Sequence, residues 1–344
     1  MADGKRPSRR RLAALGLLLS LATSPAARAG HAYVSNEDSG SVSVIDIDTA
    51  HVVGTVAVGK RPRGLKLSRD GSRLYVAVSG VPRCGVAVAD MDCDPLKHDL
   101  LADGIAVVDI HSLKVLKTLA AGSDPVELDA TPEGRRLFVA NSDTTSVSVV
   151  DDVTGAFIKR IAIGRGPAAP CLSPDGAWAL AVSEKDGITS IIDTHLLQLA
   201  RSVKVGKRLR DATFTSDSRF AYVLEELGAT VYRIAVPSGQ LQPVVQLRPE
   251  DHPLAFTLDA PEHRLYISSS RAGTVSVVAL DKPHVIAEVA VGMRPRGMAL
   301  THDRALLFTA NSGSNDVSVI DTATLHVVQR IPVGRSPWGV ATGN

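Results

Sequence analysis

Arg63, Arg296 and Trp338 come from distant parts of the chain, yet each directly follows a proline in a Gly-x-x-Pro loop. A planar aromatic flanked by guanidinium groups suits a flat anionic ligand or a carboxylate, through stacking and bidentate hydrogen bonds. Arg210 holds the equivalent position in another loop, and Val126, Ala168 and Leu254 complete a set of seven. Lys60, Arg61, Arg294 and Arg335 are near neighbours in sequence. Acids accompany them at Asp124, Glu127, Asp211, Glu250 and Asp251, so the surface these loops form is mixed in sign. Three readings stay open for it: a small-anion site, a surface for a protein partner, and solvated charge.

Motifs for other chemistries are missing. The chain has no Cys-x-x-Cys-His, His-Glu-x-x-His or Gly-x-Ser-x-Gly, so no catalytic residue is assigned. Residues 164–169 match a loose Gly-x-Gly-x-x-Ala, but they join two strands and open no helix. His51, His284 and His326 fall in similar connections and read as solvated turn residues, so no metal site is expected. Asp90, Asp92 and Asp94 are spaced like the start of a calcium loop. Pro95 replaces the turn glycine, however, and no glutamate stands at the twelfth position.

The elements that must position these residues repeat. Tyr33, Tyr75, Phe138, Leu180, Tyr222, Tyr266 and Phe308 are equivalent, with four spacings of 42 residues, one of 44 and one of 63. A period of that size, rich in short Val, Ile and Thr strands, is the signature of a propeller blade. The long spacing holds an insertion at residues 80–103, acidic through Asp90, Asp92, Asp94, Asp99 and Asp103. It reads as a disulfide-pinned recognition loop or lid, or as a passive insertion. Each blade takes four antiparallel strands, A to D. The chain starts at a B strand (31–36) and ends at an A strand (337–342), so the counts match only if the last strand completes the first blade. The expectation is an all-β, seven-bladed propeller, its ring closed by the C-terminal strand joining the N-terminal blade. In such a meander the D–A and B–C connections share one face of the disc, where the insertion also projects.

Residues 1–29 read as a cleaved leader: a basic stretch with Arg6, Arg9, Arg10 and Arg11, an apolar run from Leu12 to Ala22, and a small-x-small site at Ala27–Ala29. Residues 30–344 then form the propeller. The leader carries six of the 38 Lys/Arg and one of the 36 Asp/Glu, so its removal shifts the formal charge from +2 to −3. A global attraction to nucleic acid or anionic lipid is thereby unsupported. In an oxidising compartment Cys84 and Cys93, both in the insertion, form the natural disulfide pair, leaving Cys171 a buried thiol.

Segments such as Tyr33–Asn36, Phe138–Asn141, Ser41–Asp46 and Ser318–Asp321, with the terminal Pro337–Gly339, resemble YVTN-type propeller repeats. The overall layout resembles exported propellers associated with pyrroloquinoline-quinone (PQQ)-dependent catabolism. That resemblance implies a periplasmic or secreted, non-catalytic accessory protein of a quinoprotein-linked system. The expectation is therefore a monomeric binding scaffold meeting a periplasmic protein partner or a small anion such as PQQ through Arg63, Arg296, Trp338, Arg210, Arg61, Arg294 and Arg335. An alternative is a propeller lactonase or hydrolase using channel carboxylates as bases or metal ligands. Single-stranded nucleic-acid binding is a third and weaker reading, since only one aromatic joins the arginines.

Overall fold

The computed structural model describes Met1 and residues 30–82, 98–261 and 263–343. Seven four-stranded antiparallel sheets make up the described chain. Blade 1 is built from Pro337–Gly343 (strand A), His31–Asn36 (B), Ser41–Asp46 (C) and His51–Ala57 (D). The C-terminal strand runs antiparallel to the N-terminal one, with Ala341 opposite Tyr33 and Val340 opposite Val34. The chain is a seven-bladed β-propeller closed by pairing of its two ends, as the repeat count requires.

Burial follows strand order. Strands B and C are buried along most of their length, as in Arg136–Asn141 and Ser146–Asp151, so they read as near-continuous apolar runs without a solvent face. Strands D, such as Phe157–Ala162, are largely exposed and form the outer rim. The apolar clusters lie between blades. Phe308 and Val319 of blade 7 pack with Val34 and Ile45 of blade 1, while Tyr75 and Val107 of blade 2 pack with Leu137 and Val139 of blade 3. Burial of apolar area between neighbouring sheets is what holds the ring together.

The glycine that follows strand D has a steric cause. A Cβ on Gly334 would lie 2.6 Å from Cγ of Asn36 in the next blade, and one on Gly122 would lie 2.6 Å from Cγ of Asn141. Those asparagines are buried and immobilised, with Nδ2 donating to Ser43 Oγ and Ser148 Oγ at 2.9 Å. Only glycine leaves room for them. Gly334→Ala, at the closure, is expected to cost about 1–3 kcal/mol by overpacking, read as a fall in the unfolding midpoint; Asn36→Ala in the same chain should recover part of it. An unchanged midpoint in the single variant would refute the steric account.

Candidate active site

Each strand A is entered through a residue with positive φ: Arg61, Asp124, Gly166, Arg208, His252, Arg294 and Ser336, between 43° and 65°. Six of the seven are not glycine and carry the strain of that region, a cost tolerated where the surrounding fold over-determines it. A register shift follows in the ladder, between Pro125 and Glu127, Leu209 and Asp211, and Pro253 and Ala255. Such a bulge leaves one residue out of the pairing and re-aims its side chain. In this way Val126, Ala168, Arg210, Leu254, Arg296 and Trp338 come to line one cavity of about 100 Å³ at the channel mouth, with Glu127 and Glu184. Arg296 lies over the Trp338 ring, its Cζ 5.7 Å from the centroid.

Arg63 departs from that arrangement. It is buried, and its Nη2 donates to the Asp124 carboxylate and, at 2.6 Å, to the Pro125 carbonyl. It therefore joins blade 2 to blade 3 and does not line the mouth cavity. Arg61 likewise ties blade 2 to blade 1, donating from Nη2 to Glu37 at 2.9 Å and from Nη1 to the Val81 carbonyl. Arg210 keeps its place in the mouth but is clamped, Nε to buried Glu226 and Nη1 to Glu184 at 2.9 Å. Arg294 and Arg335 are exposed on the same face, outside the lining.

Below the mouth runs a second tier, one residue further along each strand A: Gly64, Glu127, Ala169, Asp211, Ala255, Gly297 and Gly339. Five of these are glycine or alanine and two are acids. Glu127 and Asp211 line a deeper cavity of about 150 Å³ with Phe256, Met298 and Trp338. Burial raises the proton affinity of both carboxyls above the ordinary range, and the Asp211 charge raises that of Glu127 further. The sequence reading grouped these two with Asp124, Glu250 and Asp251. What separates them is the column they share with five small residues. Asp124 is committed to Arg63 and Ser79, and Asp251 to Arg248.

One tier lower, Lys66 and Asp129 form an ion pair at 2.7 Å, and Cys171 sits in the strand Pro167–Leu172 with its thiol raised by burial. At the base of the insertion Asp103 accepts the N–H groups of Gly80 and Asp124 at 2.7 and 3.0 Å, so this acid anchors backbone. Asp99 pairs with Lys60 at 2.7 Å. Cys84, Cys93, Asp90, Asp92 and Asp94 lie outside the described residues, as does the leader beyond Met1. Among the described residues no three His, Cys, Asp or Glu side chains converge as a metal site.

A model of the family described as "Lactonase, 7-bladed beta-propeller" matches residues 194–334, less than half of the chain. That span includes Arg210, Asp211 and Arg296, but not Glu127. No curated protein matches the sequence. Solved structures share the fold. A chain of Kuenenia stuttgartiensis hydrazine synthase is 20% identical, with a TM-score of 0.73 over 90% of this chain and 99% of that one. A protein from Bacteroides fragilis described as a candidate 6-phosphogluconolactonase is 19% identical, with a TM-score of 0.74 over 93% and 99%. One from Bacteroides uniformis, described in the same way, is 17% identical, with a TM-score of 0.73 over 91% and 99%. At these identities the likeness carries the propeller fold and not the YVTN or PQQ-associated grouping.

The lactonase match overturns the expectation of a non-catalytic scaffold. The geometry agrees with the correction, since two desolvated acids in a tier of small residues cost stability that a docking surface has no need to give up. The pH dependence follows. A carboxyl whose native proton affinity is raised stabilises the fold fully below its unfolded value, near pH 4, and that contribution is lost as pH rises through the native value. Wild-type protein should therefore lose stability between about pH 4 and the raised value, by up to about 1.4 kcal/mol per pH unit for one such group. Glu127→Gln should flatten this slope in denaturant titrations run across pH; an identical slope would contradict the burial argument.

Proposed function

We propose that this chain is a lactone hydrolase acting in its channel, with the Glu127 and Asp211 pair as the acid–base machinery. The observation that carries the reading is the pair itself: two carboxyls in a tier otherwise made of glycine and alanine, below a mouth with Arg296 over Trp338. A planar lactone ring fits against Trp338, and its carbonyl oxygen, which gains charge on attack, lies toward guanidinium groups. An ionised channel carboxylate takes a proton from water as the water oxygen bonds to the carbonyl carbon. The ring C–O bond then breaks, and the same carboxyl returns the proton to the leaving alkoxide, giving a hydroxy acid. No further reactant is required.

Arg296, over Trp338 at the mouth, favours lactones bearing a carboxylate or phosphate, and the names of the two Bacteroides proteins point in the same direction. In this reading the leader of residues 1–29 delivers the enzyme to the periplasm or beyond, and the YVTN-like repeats describe its blades. Purified protein should hydrolyse members of a lactone panel covering neutral, carboxylated and phosphorylated rings. The double variant Glu127→Gln, Asp211→Asn should lose about 10²–10⁴-fold in kcat/KM while keeping its circular dichroism spectrum. Full activity in that double variant would remove the pair from the mechanism.

A further inference from the structure

The two channel carboxyls differ in how much backbone holds them: Glu127 meets one amide, that of Ala169 on the next blade, and Asp211 meets two. Each Asp211 oxygen accepts one backbone amide: Oδ1 the N–H of Ala212 at 2.8 Å, and Oδ2 that of Phe256, on strand A of the next blade, at 2.9 Å. Asp129 repeats the arrangement between blades 3 and 4, accepting the N–H groups of Ala130 and Leu172, each at 2.9 Å. An aspartate in strand A thus staples one blade to the next. The two differ in countercharge. Asp129 meets Lys66 at 2.7 Å, whereas among the described residues no cation forms an ion pair with Asp211. Glu127 lines both the mouth cavity and the deeper one, and Asp211 lines the deeper one.

We propose that Asp211 is a positioning residue and not the proton carrier: a carboxylate clamped by two backbone amides, whose charge faces the cavity it shares with Glu127 and makes Glu127 the base. The inference rests on the hydrolytic reading above. Two amide donors favour the ionised form of Asp211 and oppose its burial, while the Asp211 charge adds to burial at Glu127. Other charges around Glu127 are committed. Arg63 is bound to Asp124, and Arg210 to Glu184 and Glu226, although both cations still draw on Glu127. Arg296 shares the mouth cavity, and Lys66 and Asp129 neutralise each other one tier below. The thiol of half-buried Cys171 is raised by desolvation and stays neutral. Asp211 is the anion left to act on Glu127, and it makes Glu127 a stronger base at the cost of a higher pH for its ionisation.

The test is a carboxyl-carbon NMR titration of Glu127, its signal assigned by its loss in Glu127→Gln, run beside pH profiles of kcat/KM. Asp211→Asn is expected to lower the Glu127 midpoint by about one pH unit, a tenfold fall in proton affinity. The acid limb of kcat/KM should move down with it, and turnover should fall by less than in Glu127→Gln. Asp129→Asn combined with Lys66→Met removes a staple of the same geometry together with its countercharge and should leave both midpoint and acid limb in place, whereas a purely structural role for Asp211 would have both variants act alike. If Asp211→Asn does not fold, Asp211→Ser, which keeps one acceptor for the amides, replaces it. An unmoved Glu127 midpoint overturns the proposal, and so does an Asp211→Asn variant as inactive as Glu127→Gln. If wild-type protein hydrolyses no lactone while Asp211→Asn still lowers the Glu127 midpoint, the hydrolytic reading is refuted and the coupling stands.

Discussion

Crowding at the channel axis governs this molecule. Seven inner strands converge there, and a Cβ on Gly64 would lie 2.7 Å from Cα of Glu127, one on Gly297 2.8 Å from the Trp338 carbonyl oxygen, and one on Gly339 2.9 Å from that of Arg63. Neighbouring strands even share backbone hydrogen bonds, Gly64 N–H donating to Val126 at 2.9 Å. Where blades approach this closely, glycine and alanine are what fit. A carboxylate in the same tier faces a narrow cavity walled by protein, loses much of its hydration, and gains proton affinity. The chemistry assigned to Glu127 therefore follows from the geometry that closes the ring.

The same crowding divides the charged residues by task. Arg61, Arg63 and Arg210 are engaged with Glu37, Asp124 and Glu226, carboxylates on neighbouring loops that bury them. Breaking such a pair strands a buried charge, so these arginines serve the register of the blades. Arg296, stacked over Trp338, stands at the cavity where a ligand would arrive. The charges of this mixed face are thus mostly scaffold, with its reactive part in the tier beneath.

Much of this was legible in the sequence. The 42-residue period and the strand starts at Tyr33 or Phe308 carry the blade, because each sheet needs the same apolar run to pack against two neighbours. The closure of 337–343 onto 31–36 follows from counting strands. Six of the seven mouth positions were legible too, since the loop proline before them recurs, while Arg63 turned elsewhere. The direction of Arg63 was not, because its partner Asp124 lies 61 positions away and meets it only once blades 2 and 3 are packed. Glu127 and Asp211 carried a signal that went unread: the column Gly64, Glu127, Ala169, Asp211, Ala255, Gly297, Gly339 marks them as the two positions where small residues give way to acids. Their desolvation, though, depends on how closely the inner strands approach, a distance no linear pattern states.

The central claim is that hydrolysis occurs at the axis and not on the outer face. A crystal structure with a lactam analogue of a turned-over lactone, whose amide resists hydrolysis, tests it most directly. The account predicts the ring against Trp338 with its carbonyl carbon facing Glu127. An analogue bound outside the channel, with Glu127 and Asp211 untouched, would contradict it.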